Sequence, residues 1–403
     1  MEICNRYDCT GCMACLNACP TNAISVSADK KGFYYPLIDN EKCINCNKCK
    51  NTCPANKGAI ASDKKPQVFA CWQKNTEIRR ESSSGGFFSA VAEYVLQLGG
   101  SVFGAAFNDS FVVEHTEITS VSELSRLRGS KYVQSNAKDI FSVVKKRLDD
   151  GKYVLFSGTP CQVAGLNAFL GKPYDKLITL DIVCHGVPSP KFFADYLEKE
   201  IKQKNSSNIT NIRFRYKKPS WTKFSMKIDF SDRPSYIGSK FSDTYLVAFL
   251  YDFITRDCCH NCKYTSVNRT GDITIADFWG YVSQTRKNRN TEDGISLLLL
   301  NTDKGKEIFD RLKDSFVYIE KDISEAKSGN RCLSSPYKKN PKSDEFWNTY
   351  FEKGYEDAKN KYLYPRKPNK KHDLSVAVDN HSYLIPKMLR KAYDKFKTKS
   401  KEG

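Results

Sequence analysis

No stretch of this 403-residue chain approaches the ~18 consecutive apolar residues a membrane-spanning helix requires; the longest candidates are Tyr245 to Ile254 and Ser296 to Leu300. An apolar leader is also missing, because Met1-Glu-Ile-Cys4 runs straight toward the first cysteine motif, and secretion is not expected. Acidic residues are in deficit, with 46 Asp and Glu against 64 Lys and Arg for a net charge of +18. Cysteine is not scarce: there are 16. In a short secreted chain that number would suggest a disulfide scaffold, but this chain is long and its cysteines are spaced as metal ligands. A cytoplasmic, reducing location is therefore expected. The length allows two or three domains with an ample core.

Most of the cysteines fall between Cys9 and Cys53. Cys9-x2-Cys12-x2-Cys15-x3-Cys19-Pro20 returns as Cys43-x2-Cys46-x2-Cys49-x3-Cys53-Pro54, every ligand displaced by 34 positions. In this bacterial ferredoxin spacing, three close thiolates hold one cubane and the fourth reaches across to the other. Cys9, Cys12, Cys15 and Cys53 are thus expected to hold one 4Fe-4S cluster, and Cys43, Cys46, Cys49 and Cys19 a second. Structural zinc prefers separated ligand pairs and fits the compact triple followed by Cys-Pro poorly. The first sixty or so residues resemble two-cluster 4Fe-4S ferredoxins.

Beyond this domain (1–56) a polar linker, 57–66, leads into the strand Val68 to Trp72. A Ser82-Ser-Ser-Gly-Gly86 turn then feeds an apolar helical pattern from Phe87 to Leu96. Such a turn offers free backbone N–H groups at a helix start, where phosphates bind, although an ordinary serine cap reads the same way and no G-x-G-x-x-G fingerprint accompanies it. Strands are expected at 101–107, 111–118, 152–156 and 177–183, with helices at 121–128, 137–148, 163–170 and 190–202. This strand–helix alternation predicts an α/β domain with some parallel sheet.

Ligands of such sheets gather at the carboxyl ends of the strands. Cys161 and Cys184 both follow such ends, and Cys259-x2-Cys262 supplies a tight pair, so the four could complete a third 4Fe-4S site. Three other readings stay open: a zinc on Cys258, Cys259, Cys262 and His260; a Cys161 nucleophile with His185 as base, for which no oxyanion motif is evident; and simple buried thiols.

Six motifs occur in one order: Ser83-Ser-Gly-Gly86, Gly129-Ser-Lys-Tyr132, Gly158-Thr-Pro-Cys-Gln162, Cys184-His-Gly-Val-Pro-Ser189, Cys259-x2-Cys262 and Asp272-Ile-Thr-Ile-Ala-Asp-Phe-Trp-Gly280. Over about residues 66 to 320 they resemble the coenzyme F420 hydrogenase/dehydrogenase beta-subunit family. The resemblance implies a mixed-sheet α/β flavin and iron–sulfur domain over 67–320, followed by a C-terminal extension, 321–403. It implies FAD and a third 4Fe-4S cluster on Cys161, Cys184, Cys259 and Cys262. Ser84, Gly85, Gly86, Gly129, Ser130, Lys131 and Tyr132 would line the flavin with Thr159 and Gln162, and Lys131 would place positive charge near it or near an anionic substrate. Ala276 stands where the family pattern has Gly, and Cys258 is an additional thiol.

The function expected is that of an iron–sulfur flavoprotein oxidoreductase. Electrons would come from a low-potential donor, such as a ferredoxin or a hydrogenase/dehydrogenase subunit, and go to a small-molecule acceptor, a deazaflavin or another organic molecule. The alternatives are an electron-transfer subunit with no substrate of its own and a binding protein in which the clusters are staples. From residue 359 onward the tail holds thirteen Lys or Arg against four Asp or Glu. No nucleic-acid partner is expected. Ile385, Met388, Leu389, Ala392 and Phe396 share one face of a basic helical pattern, which would either dock on the protein's core or make weak contact with an anionic membrane surface.

Overall fold

The computed structural model describes residues 2–57, 65–202, 208–281 and 292–363. The basic tail pattern at 385–396 lies outside the described residues. No described helix is long and apolar enough to cross a membrane.

The N-terminal unit is an antiparallel hairpin, Ile24–Ala28 (β1) with Tyr34–Ile38 (β2), flanked by one-turn helices Ala14–Asn17 and Lys48–Thr52. The 34-residue repeat is visible in its backbone. Gly11 and Met13 turn through left-handed conformations at φ 70° and 64°, and Asn45 and Asn47, their counterparts, do so at 55° and 58°. Each thiol loop is thus curled so that cysteines three apart face one centre.

The remainder is built on Gln67–Gln73 (β3), Ser101–Phe107 (β4), Val113–Ile118 (β5), Val154–Gly158 (β6), Leu177–Ile182 (β7), Ile209–Tyr216 (β8), Ser225–Phe230 (β9), Tyr236–Ser239 (β10), Ile273–Asp277 (β11), Ser296–Leu300 (β12) and Phe316–Lys321 (β13). Eight of these form one mixed sheet in the order β13-β3-β12-β11-β7-β6-β4-β5. β4, β6, β7 and β11 run parallel, and both flanks are antiparallel. This is the expected α/β layout. β8, β9 and β10 form a separate three-stranded antiparallel sheet that the sequence reading did not anticipate.

Side-chain alternation explains why the large sheet is covered on both faces. Val102, Leu155, Leu298 and Leu300 pack beneath helices Phe87–Gln97 and Asp303–Leu312, while Phe103, Val154 and Phe156 meet helices Ile140–Asp149 and Pro160–Leu170 on the opposite face. Cys12, Met13 and Ala14 of the N-terminal unit join this second core, so the ferredoxin-like unit is docked on the sheet's helical layer. The apolar run from Tyr245 to Ile254 proves to be the buried helix Thr244–Leu250 and the turn after it. It packs with Phe192, Phe214, Phe346 and Trp347 in a core shared by the small sheet and the C-terminal helices Ser343–Lys353 and Tyr355–Tyr362.

Candidate redox site

The two ferredoxin-like thiol sets assemble as the spacing requires. Cys19, Cys43, Cys46 and Cys49 wall a void of about 20 Å³. Cys9, Cys12, Cys15 and Cys53 are mutual electrostatic neighbours. Burial, with Cys9 and Cys53 adding to it, pushes the Cys12 thiol up to about 12. Sequence reasoning gave Cys4 no role, yet its thiol hydrogen-bonds with those of Cys9 and Cys53.

The third set assembles as well. Cys161 opens the helix after β6, Cys184 follows β7, and Asp257–Asn261 is a single 3-10 turn that brings up Cys258 and Cys259. These four and Cys262 wall one void of about 50 Å³. The buried ion pair of Arg269 with Asp181 (3.1 Å) fixes the segment, because the same guanidinium bonds the Tyr264 carbonyl at 3.0 Å and the Ile182 carbonyl at 2.8 Å. Burial is the main cause that drives the Cys184 thiol up to about 12 and raises those of Cys161 and Cys262. Binding metal there would displace protons.

The geometry separates the adjacent thiols. Cys259 neighbours Cys184, whereas Cys258 neighbours Arg256 and Cys9 on the ferredoxin-like side. His260 bonds the Tyr337 carbonyl (3.1 Å) and is absent from the wall of the void. His185 pairs with Asp252 at 3.1 Å, and the Cys161 sulfur lies 3.1 Å from the Thr159 hydroxyl. Among the described residues, no three His, Cys, Asp or Glu crowd around a single point as ligands of one ion would. The thiols stand around voids.

The sets are contiguous. A methyl group at Gly165 would lie 2.9 Å from the Cys12 sulfur, so the helix that begins with Cys161 rests directly on the first ferredoxin-like set. Tyr264 borders Cys12, Cys53, Cys161 and Cys262. Arg256, fully buried, clamps the junction: Nε and Nη2 donate to the Cys9 carbonyl (3.1 and 3.0 Å) and Nη1 to the Tyr34 carbonyl (3.1 Å) and Gln134 Oε1 (3.2 Å). Gln134 also accepts from the Tyr34 N–H at 3.1 Å, so side chains of the larger domain complete the outer edge of β2.

Beyond the third set lies a cavity of about 740 Å³ at the carboxyl ends of the parallel strands, and Cys161, Cys184 and His185 border both spaces. Of the nine residues expected to contact a cofactor, Ser84, Gly86, Gly129, Ser130, Lys131, Tyr132, Thr159 and Gln162 line the cavity; Gly85 does not. Gly85 is instead packed so closely that an added Cβ would lie 2.3 Å from the Cys71 carbonyl. The two predicted loops are joined, since Ser83 Oγ accepts from the Ser130 N–H (2.7 Å) and lies 2.9 Å from its hydroxyl. Gly86, at φ 94°, starts helix Phe87–Gln97 without a side-chain cap, which leaves that helix start facing the cavity.

Lys131 Nζ folds back onto the Arg126 and Arg128 carbonyls at 2.8 and 3.0 Å, and burial lowers its pKa to about 7. The polar atoms of Gln162 are engaged by Thr159 N–H (3.0 Å) and Ser135 Oγ (3.0 Å). Ala276 lies on the wall. Sequence reasoning missed the wall contributed by the small sheet and the loops beside it: Arg215, Trp221, Phe224 and Phe241. A cationic residue alternating with apolar ones in Arg213-Phe214-Arg215-Tyr216 was the only local signal.

No curated protein matches this chain. A solved structure, a xenon derivative of the F420-reducing [NiFe] hydrogenase complex from Methanosarcina barkeri, aligns at 16% identity with a TM-score of 0.45, covering 75% of this chain and 92% of that one. That similarity is too low to transfer roles. Residues 8–57 match the model of the 4Fe-4S dicluster domain, and residues 151–326 match the model of the C terminus of the coenzyme F420 hydrogenase/dehydrogenase beta subunit. The chain is therefore a member of the coenzyme F420 hydrogenase/dehydrogenase beta-subunit family with a 4Fe-4S dicluster domain at its N-terminal side.

Proposed function

We propose that this chain is a flavin-dependent iron–sulfur oxidoreductase. It accepts single electrons from a low-potential carrier, or from a hydrogenase or dehydrogenase subunit, and delivers them in pairs to an organic acceptor in the large cavity. The observation that carries this reading is the shared wall: Cys161 and Cys184 border the thiol-ringed void on one side and the cavity on the other.

The residues suit the groups the reading requires. Soft, buried thiols suit iron–sulfur clusters. Cys9, Cys12, Cys15 and Cys53 would hold one, Cys19, Cys43, Cys46 and Cys49 the next, and Cys161, Cys184, Cys259 and Cys262 the third. The uncapped helix start at Gly86 and the adjoining Ser130 loop would receive the phosphates of FAD. Bound there, these cofactors supply one-electron relay and conversion to two-electron chemistry.

The protein's own residues fix the spacing. Arg256 and Gly165 hold the first thiol set against the third, and Arg269 holds the third against β7. The aromatic side chains of Phe224, Trp279 and Tyr132 cover one side of the cavity and exclude water from it.

Anaerobic reconstitution followed by dithionite titration tests the reading. A bound flavin band should bleach on reduction and return when a deazaflavin or a quinone is added. Absence of bound flavin would overturn it, and a reduced flavin that only a partner protein reoxidises would favour an electron-transfer subunit.

A further inference from the structure

Arg215 stands out among the buried cations of the cavity wall. Its side chain is 4% exposed. Nη1 donates to Asp277 Oδ2 at 2.7 Å and to the Tyr132 hydroxyl at 3.1 Å. Nε and Nη2 are buried and have no hydrogen-bond partner. Two unmet donors on one buried guanidinium are costly, and a protein retains that cost where a ligand relieves it.

The arrangement is prepared for one kind of ligand. Nε and Nη2 form the edge of the guanidinium that presents two parallel N–H groups, a fork matched to the two oxygens of a carboxylate or phosphate. Rotation of the fork is blocked. The guanidinium carbon lies 4.1 Å from the centre of the Phe224 ring and 5.1 Å from that of Trp279, and Asp277 pins the far nitrogen. Asp277 is pinned in turn by the Trp221 Nε1–H at 2.6 Å, and Trp221 stacks on Trp279 at 4.9 Å with ring planes 10° apart. Trp221, Phe224 and Trp279 all line the cavity. The wall thus offers a fixed two-donor edge beside flat aromatic surfaces, which suits a planar molecule carrying an acidic group.

We propose that the Nε–Nη2 edge of Arg215 is the receptor for a carboxylate or phosphate of the molecule bound in the cavity. This rests on the cavity being the flavin and acceptor site, and two sources share the chemistry: the phosphate of the cofactor or the acidic group of the acceptor.

Binding distinguishes them. Quenching of tryptophan fluorescence in the full-length protein would be followed with FAD, with riboflavin, which has the same ring and no phosphate, and with anthraquinone-2-carboxylate as the acceptor probe. If the cofactor supplies the oxyanion, Arg215→Gln weakens FAD roughly ten- to hundredfold and leaves riboflavin unchanged. If the acceptor supplies it, the same variant weakens the anthraquinone carboxylate by that factor and spares both flavins. Arg215→Lys keeps a cation against Asp277, so it protects folding, and without the fork it should still lose about tenfold for the same ligand.

Equal affinities of wild type and Arg215→Gln for all three probes would overturn the proposal. So would an Arg215→Lys variant as tight as wild type, which decides the matter if the Gln variant does not fold. A wild-type protein that binds the anthraquinone carboxylate but neither flavin would instead overturn the flavin reading, with Arg215 still measured by the carboxylate.

Discussion

Replacing Arg256 with Met should loosen the ferredoxin-like unit from the sheet while leaving both hydrophobic cores in place. The change strands the Cys9 carbonyl, which loses two donors, and the Tyr34 carbonyl, which loses its bond on the outer edge of β2. Gln134 keeps the Tyr34 N–H. Each stranded buried acceptor costs about 1–3 kcal/mol, so the junction should weaken by about 2–6 kcal/mol. The guanidinium also sits 4.0 Å over the Tyr35 ring, a contact that Met replaces only in part. Hydrogen–deuterium exchange reads the effect directly. The amides of Thr10, Gly11 and Tyr34 should exchange at least roughly thirtyfold faster, as ~2 kcal/mol requires, while those of β6 and β7 keep their protection. Exchange at Thr10, Gly11 and Tyr34 that stays within about threefold of wild type would refute the clamp.

His115 makes a pH prediction. Its Nε2 faces the Ser157 carbonyl at 3.1 Å and must donate, so Nδ1, 2.8 Å from the Ser135 hydroxyl, is the bare acceptor of a neutral ring. Burial lowers its pKa from 6.5 to about 4. The unfolded chain therefore takes up the proton first as pH falls; this stabilisation is complete above about 6.5 and is lost toward about 4, in all ~3 kcal/mol. Urea titrations of His115→Gln should show that acid limb flattened, and an unchanged limb would contradict the assignment. Gly11→Ala should cost about 2 kcal/mol or more, because φ is 70° and the new Cβ would lie 2.7 Å from the Tyr34 carbonyl; an unaltered melting curve would sink this. Cys259→Ser should remove about four of roughly twelve irons after reconstitution and Cys258→Ser none, and equal losses would show that the two thiols are not distinguished as their neighbours suggest.

The thiol sets were legible because ligand spacing is local: three turns of chain decide whether Cys9, Cys12 and Cys15 can face one centre. The strand–helix alternation was legible for the same reason, and it carried Cys161 and Cys184 to neighbouring strand ends although 23 positions separate them. Arg256 gave no such signal, since its value lies in the carbonyls of Cys9 and Tyr34, more than two hundred residues away. Arg215 was hidden likewise. An arginine in a strand usually faces water, and only the packing of the small sheet against the Asp277–Trp279 turn buries it. Gly85 read as part of a phosphate-binding turn because the glycine pair was taken together. Gly86 opens the helix, whereas Gly85 lets β3 approach at the Cys71 carbonyl.

The most direct test of the proposed electron path is a count of iron and flavin in the anaerobically reconstituted full-length protein. Three cubanes and one flavin predict about twelve irons and about one FAD per chain. About eight irons with no bound flavin would confine the redox chemistry to the ferredoxin-like unit and contradict the account.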